Sequence, residues 1–256
     1  MTDSVYIKII NANLFYPSKT YNALTLKEEI FKLLRIGKRT KLLYDVHALR
    51  DINLNIHEGE RVGIIGANGA GKSTILKAIA GLYPLKSGQI ETQGSIRAMF
   101  ELSLGFEFEA TGRENIAYRS LLLGESPKSL KEKEKEIIDF AEIGDFIDYP
   151  IKAYSSGMLV RLAFAISTTV SNSLGNILLL DEILGAGDAS FQIKAKKRME
   201  QLIDGAKIIV LVSHDLNGIK SICNRAILLK DGCVRSDGPV NEVIDEYLDS
   251  VNRGGR

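Results

Sequence analysis

One stretch constrains this chain more than any other: Gly66, Ala67, Asn68, Gly69, Ala70, Gly71, Lys72, Ser73 and Thr74 in succession. It follows an apolar run, Arg61 to Ile65, and precedes a helix-like run, Ile75 to Ala80. The order is strand, glycine loop, helix, and the spacing fits the phosphate loop G-x-x-x-x-G-K-S/T. Gly66, Gly69 and Gly71 let the backbone curl until successive N–H groups point at one anion. The helix starting near Lys72 adds its positive end. Lys72 brings a full charge to the β- and γ-phosphates, and Ser73 offers a hydroxyl to Mg²⁺. The implied ligand is a nucleoside triphosphate. A chance glycine turn before a buried helix would not need strand, loop and helix in this order.

A chain of 256 residues holds one or two domains with a real core. Its formal net charge of +1 gives no basic field to draw it toward nucleic acid or an acidic membrane. No apolar run is long enough to cross a bilayer. Met1 to Val5 lacks a basic region followed by an apolar stretch, so no signal peptide is expected, and the expected compartment is the cytoplasm. Cys223 and Cys233 have no histidine nearby and are read as small apolar residues.

The alternation of Val5 to Ile10 predicts a strand, and Asn13 to Pro17 a turn carrying two aromatics. Leu24 to Arg35 has Leu26, Ile30, Leu33 and Leu34 on one face, which predicts a surface helix on the sheet rather than a membrane anchor. Gly37 to Lys41 is a basic connection. His47 to Ile56 predicts a second strand, with a turn at His57 to Glu60. Gln89 to Met99 reads as one or two short strands. Helices are expected over Thr111–Leu123, with Thr111 as cap and Glu114 three residues on, over Ser129–Ile143, and from Ser156 through Thr169. The run Lys131 to Glu136 reads as a solvated face. Asn176–Leu180, Lys207–Val212 and Ala226–Leu229 read as buried strands. Helices are expected over Phe191–Leu202 and Val240–Val251. Alternating strands and helices around the loop predict an α/β fold with a parallel sheet. The stretch from about 97 to 172, nearly free of strands, predicts a helical insertion.

Three further residues carry chemistry. Ligands in open α/β sheets bind beyond the carboxyl ends of the strands. Asp181 ends an apolar strand and so stands beside the phosphate loop, where it can hold Mg²⁺ through water. Glu182, one residue on, can polarise a water aimed at the γ-phosphate. His214 follows another buried strand at the same edge, placed for a γ-phosphate contact rather than for a plain loop hydrogen bond.

Five segments in order resemble the nucleotide-binding subunit of an ABC transporter: the phosphate loop; Tyr154-Ser-Ser-Gly-Met158 in place of the signature L-S-G-G-Q; Asp181-Glu182; Gly185-Ala-Gly-Asp188 as D-loop; and His214 as switch histidine. Tyr16 matches the aromatic that stacks on adenine. The resemblance covers about Val5 to Leu248. Thr111-Gly-Arg-Glu-Asn-Ile116, Phe140 to Ile147, Tyr154 to Ala165 and Asp181 to Asp188 are similar to the polysaccharide-export group, which exports O-antigen, capsule and teichoic acid. Glu101 departs from the family by standing where most members have a glutamine; a carboxylate there can still reach Mg²⁺ or a water.

The resemblance implies an α/β P-loop NTPase core with a mixed sheet, an antiparallel β part and a helical insertion. It implies a RecA-like core over 1–96 and 173–252, a helical subdomain over about 97–172, and a tail at 253–256. ATP and Mg²⁺ are the implied cofactors. Lys72, Glu182 and His214 are the implied catalytic residues, and Ser73, Asp181 and Glu101 the metal-facing ones. Tyr16, residues 66–74, and from a second copy Ser155, Ser156, Gly157 and Asp188, are the implied nucleotide contacts. The implied partners are that second copy and a polytopic membrane permease, facing Glu101–Glu109 and the helical insertion. The protein would sit peripherally on the cytoplasmic face of the inner membrane, powering export of a lipid-linked polysaccharide such as O-antigen. The sequence leaves no room after the core for the carbohydrate-binding β-domain that some O-antigen exporters carry. Soluble ABC ATPases of DNA repair or translation are the alternative; they insert long coiled coils or carry two cassettes, and this sequence has neither. A non-catalytic scaffold would be expected to lose Glu182 or His214.

Overall fold

The computed structural model describes residues 4–16, 46–100, 105–170, 176–181 and 189–254. Two sheets and two sets of helices make the fold. β1 (Tyr6–Tyr16), β2 (Val46–His57) and β4 (Ser87–Gln93) form an antiparallel sheet in the order β2-β1-β4. β3 (Arg61–Ile65), β5 (Ile96–Met99), β6 (Ile177–Asp181), β7 (Ile208–Val212), β8 (Arg225–Lys230) and β9 (Cys233–Pro239) form a six-stranded sheet in the order β5-β6-β7-β3-β8-β9. All its pairs are parallel except β8–β9.

The inner strands are apolar at nearly every position because both faces are covered. Alternation then sorts their side chains between two cores. Val62, Ile64, Leu179, Val210 and Ile227 point toward the antiparallel sheet and α1 (Lys72–Ile79). Leu178, Leu180, Ile209, Leu211 and Leu228 point the other way, into the core that holds the remaining helices. Those are α2 (Gly112–Leu122), α3 (Pro127–Ala141), α4 (Ser156–Thr169), α5 (Ala189–Gly205), α6 (Leu216–Ile222) and α7 (Val240–Gly254).

Several elements differ from the sequence reading. Of the turn expected at Asn13–Pro17, Asn13 to Tyr16 are instead the end of β1, which pairs Phe15 with His47 and Tyr16 with Val46 through a series of register shifts, and Pro17 lies outside the described residues. Asn13 supplies the turn-like signal because its side chain bonds Asp51 and His47 across the bulged strand. The Gln89–Met99 region is two strands, in different sheets. β5 crosses the boundary set at 97, and α7 runs through Gly254, past the expected start of the tail. α3 stops at Ala141 rather than Ile143, because Glu142 adopts a left-handed conformation (φ 51°). Its carboxylate there accepts from Lys194 Nζ at 2.6 Å. β9 is a strand that the sequence reading does not include; it follows the turn at Asp231-Gly232. Positive φ at both residues makes that turn a hairpin, and the edge strand it starts is too polar to read as buried.

Cys223 is buried, and burial pushes its thiol up to about 12. Cys233 is exposed on β9, against the apolar reading. The charged run 131–136 is tied rather than freely solvated: Lys133 pairs with Glu125, Glu134 with Arg113 and Glu136 with Arg198.

Candidate nucleotide site

At two glycines the loop after β3 is clamped by neighbours that leave no room for a side chain. A Cβ on Gly66 (φ 145°) would stand 2.2 Å from the Leu229 carbonyl oxygen, and one on Gly71 (φ 104°) 2.9 Å from that of Ala48. Ala70 N–H donates to Ala67 O at 3.1 Å, and Gly232 N–H to Ala70 O at 3.1 Å. α1 then begins at Lys72 with Gly71 as cap and no side-chain bond to its first N–H groups. The Lys72 ammonium, 7% exposed, donates to the carbonyls of Gly66 (2.9 Å) and Ala67 (3.1 Å). The cation is thus folded back over the mouth of the loop. The glycines let the loop pack closely on its neighbours, and that packing puts a helix start beside a lysine, an arrangement suited to an anion.

Two more residues stand along the same sheet edge. Asp181 pairs with Val212, and Val212 with Ile64, so one row crosses β6, β7 and β3. Two strand spacings put Asp181 about 10 Å from the end of β3. His214 follows β7, between them, and is exposed. Asp215 beside it caps α6 by accepting from Asn217 N–H at 3.0 Å. Among the described residues no three His, Cys, Asp or Glu side chains cluster to hold a metal on their own.

Tyr16 reaches the site through its hydroxyl, which lies 2.9 Å from Thr74 Oγ1. Its ring meets Tyr83 edge-on at 5.6 Å. Phe15 belongs to a separate stack, 4.0 Å from the His47 ring with Lys86 above it.

Ser155, Ser156 and Gly157 lie elsewhere, at the start of α4 in the helical region. Ser155 is the cap, its Oγ accepting from Met158 N–H at 3.2 Å. Tyr154 fixes the approach to that cap. Its hydroxyl donates to Phe146 O at 2.5 Å, and a Cβ on Gly112 would collide with it at 2.2 Å. Burial pushes this phenol up to about 12, with Asp148 adding to the shift. Gly157 differs from Gly66 and Gly71. It has ordinary helical backbone, and a Cβ there would meet only Ser155 Oγ, at 3.9 Å. Nothing among the described residues asks for glycine at this position.

The family profile described as ABC transporter matches residues 49–185. This chain belongs to the ABC transporter family. The ABC chain is 43% identical over 227 residues to the O-antigen export system ATP-binding protein RfbE of Yersinia enterocolitica, spanning 88% of this chain and 94% of that protein. It is 41% identical to RfbB of Myxococcus xanthus over 89% of this chain, but spans only 52% of that longer relative. The teichoic acids export protein TagH of Shouchella clausii is 39% identical over 92% of this chain and 64% of its own length. In fold it resembles the ATP-binding cassette MJ0796, solved as a dimer bound to ADP and Pi, with a TM-score of 0.64, 23% identity, and coverage of 91% of this chain and 98% of that one. It also resembles an ATP-binding subunit of an ABC transporter, with a TM-score of 0.66, 21% identity, and coverage of 94% and 92%.

Glu101, Glu182 and Asp188 of this ABC chain lie outside the described residues, as does the helix expected over Leu24–Arg35. Two polar residues take a structural role that the sequence reading did not assign them: Asn115 and the half-buried Arg97. Asn115 is fully buried, and its amide pins the loop before α2 by donating to Glu107 O (2.9 Å) and Thr111 O (2.9 Å) and accepting from Glu107 N–H (2.8 Å). Arg97 crosses from β5 to the far end of α4. The signal for Asn115 was its place in the stretch Thr111–Ile116 that resembles the export group. For Arg97 there was none, since its partners are some 70 residues away.

Proposed function

We propose that this chain is the ATP-hydrolysing subunit of an ABC exporter that moves a lipid-linked polysaccharide, with O-antigen as the polymer, across the cytoplasmic membrane. The observation that carries the reading is the match to RfbE across 94% of that protein, joined to a glycine-lined loop with Lys72 at its mouth. Teichoic acid is the second reading, favoured by the similarity to TagH.

In this reading residues 66–74 and the start of α1 hold the ATP phosphates, and Lys72 leaves its two carbonyls to neutralise them. Ser73 and Asp181 hold Mg²⁺, which when bound draws charge from the transferred phosphoryl group. Tyr16 offers its ring to adenine while its hydroxyl keeps it against Thr74. Glu182 orients the attacking water, and His214 contacts the γ-phosphate from the neighbouring strand. Ser155, Ser156 and Gly157 of a second copy close over the same nucleotide. Glycine at 157, unneeded by the fold, supports a close approach from outside the chain.

No helix among the described residues is long and apolar enough to cross a membrane, so transport needs a membrane subunit. Tyr118, Leu121 and Leu122, all exposed on one side of α2 and Leu122 by 78%, support docking there. The working place is then the cytoplasmic face of the membrane.

Glu182→Gln tests the reading in the cell that makes the polymer. The purified variant should bind ATP normally and turn it over about 10²–10⁴-fold more slowly, as for loss of a general base. The polymer should disappear from the cell surface while its lipid-linked form accumulates inside. Surface polymer at the normal level beside an inactive ATPase would contradict the assignment.

A further inference from the structure

The helix that starts at the signature is held at its other end by one cation from the sheet. α4 has no basic residue in its last turn. Its final carbonyls have no partner within the helix and need donors from elsewhere. Arg97, on edge strand β5, supplies them: one nitrogen, Nη2, donates to Ser167 O at 2.6 Å and Val170 O at 3.3 Å. A guanidinium there also complements the negative end of the helix dipole. Burial, with Arg198 nearby, lowers the pKa of Arg97, so its charge is held against a desolvation cost. Its Nε is buried and has no hydrogen-bond partner among the described residues. The fork is therefore only partly used, and a shift of α4 along β5 can change which donors engage.

α4 has a second polar tie nearer its start, where Arg161 Nη1 donates to Glu142 O at 3.4 Å and the guanidinium lies over the Phe191 ring. Its remaining contact with the core is largely apolar. Phe164 on α4 stacks with Phe140 of α3 and meets Phe191 of α5 edge-on at 5.8 Å. Apolar contacts of this sort allow a helix to pivot. Arg97 sits at one end of that lever, and the signature residues at the other. Fourteen residues make α4 about 20 Å long. A tilt of about 10° at the Arg97 end moves the Ser155 end by about 3 Å over that length, and about 1 Å of misplacement can cost 10² in rate.

We infer that Arg97 is a positioning residue, one that sets the angle of the signature helix against the core sheet and so decides whether the signature can close over the partner copy's nucleotide. The inference rests on the trans arrangement proposed above. Arg97 touches no reacting atom; it acts through α4.

The test uses the full chain and three readouts: ATP affinity of the single subunit, ATP-driven dimerisation by light scattering, and kcat per folded protein. Arg97→Met, which keeps the stem and removes the donors, should leave subunit ATP affinity within about twofold. Dimerisation and kcat should each fall by about tenfold or more, the scale of a misplacement below 1 Å. Arg97→Lys, which keeps the charge and loses the fork, should fall between Arg97→Met and the wild type. Unchanged kcat and dimerisation with a lower Tm would make Arg97 merely structural and overturn the inference. Should Arg97→Met fail to fold, wild-type kcat and dimerisation in Arg97→Lys would overturn it alone. Ser155→Arg, measured in parallel, separates the two claims. If it too leaves dimerisation intact, the trans arrangement itself is wrong. If it abolishes dimerisation while Arg97→Met does not, only the role of Arg97 falls.

Discussion

The two helix starts that the proposed mechanism aims at phosphate are built differently. α1 begins at a left-handed glycine with no side-chain cap, and its lysine bends back onto the loop that precedes it. Its glycines are demanded by the chain itself, since Leu229 and Ala48 occupy the space a Cβ would need. α4 begins with Ser155 capping its own turn, and its glycine faces open space. The first site is shaped from within, its cation held on the loop's own carbonyls. The second is finished as a helix start, with its one unexplained feature turned outward. A site complete for its own fold but shaped for close approach is what a lender of contacts to another copy requires.

Alanine at the two glycines should separate these cases most sharply. Gly66→Ala should cost at least ~2 kcal/mol of stability, because the left-handed backbone and the Leu229 clash must both be relieved. It should lose ATP binding as well. Gly157→Ala should leave Tm unchanged or slightly raised, since alanine suits a helix better, yet it should weaken ATP-driven dimerisation. Equal melting losses in both variants would erase the contrast. The smallest effect is expected at Ser155→Ala. Loss of the cap should cost ~1 kcal/mol in a denaturant titration, and a cost near zero would show that the Met158 N–H bond contributes nothing to folding.

How far the sequence alone reached follows the same division. The phosphate loop was legible because local backbone geometry dictates its residues. α4 was legible over its observed span, Ser156–Thr169, and the reciprocal Thr111–Glu114 cap of α2 was visible as a spaced pair. Non-local contacts were not legible. Asn13 marks a bulge only because Asp51 and His47 lie across the strand, and β1 therefore looked shorter than it is. The left-handed Glu142 depends on Lys194, more than fifty residues on. The Arg97 link to α4 joins residues that no periodicity relates. Where glycine answers to its own neighbours the sequence spoke plainly. At Gly157 it needed the structure to show that, among the described residues, only Ser155 Oγ comes near.

The central claim is that each nucleotide is held by the phosphate loop of one copy and the signature of the other. Light scattering on a mixture of Lys72→Ala and Ser155→Arg chains measures this most directly. Each variant alone should fail to dimerise with ATP, the first because it cannot hold the nucleotide and the second because it cannot close over it. Mixed, the intact loop of one meets the intact signature of the other, and ATP-driven dimers should return. If the mixture stays monomeric, or if Ser155→Arg dimerises by itself, the signature does not act across the interface and the account is contradicted.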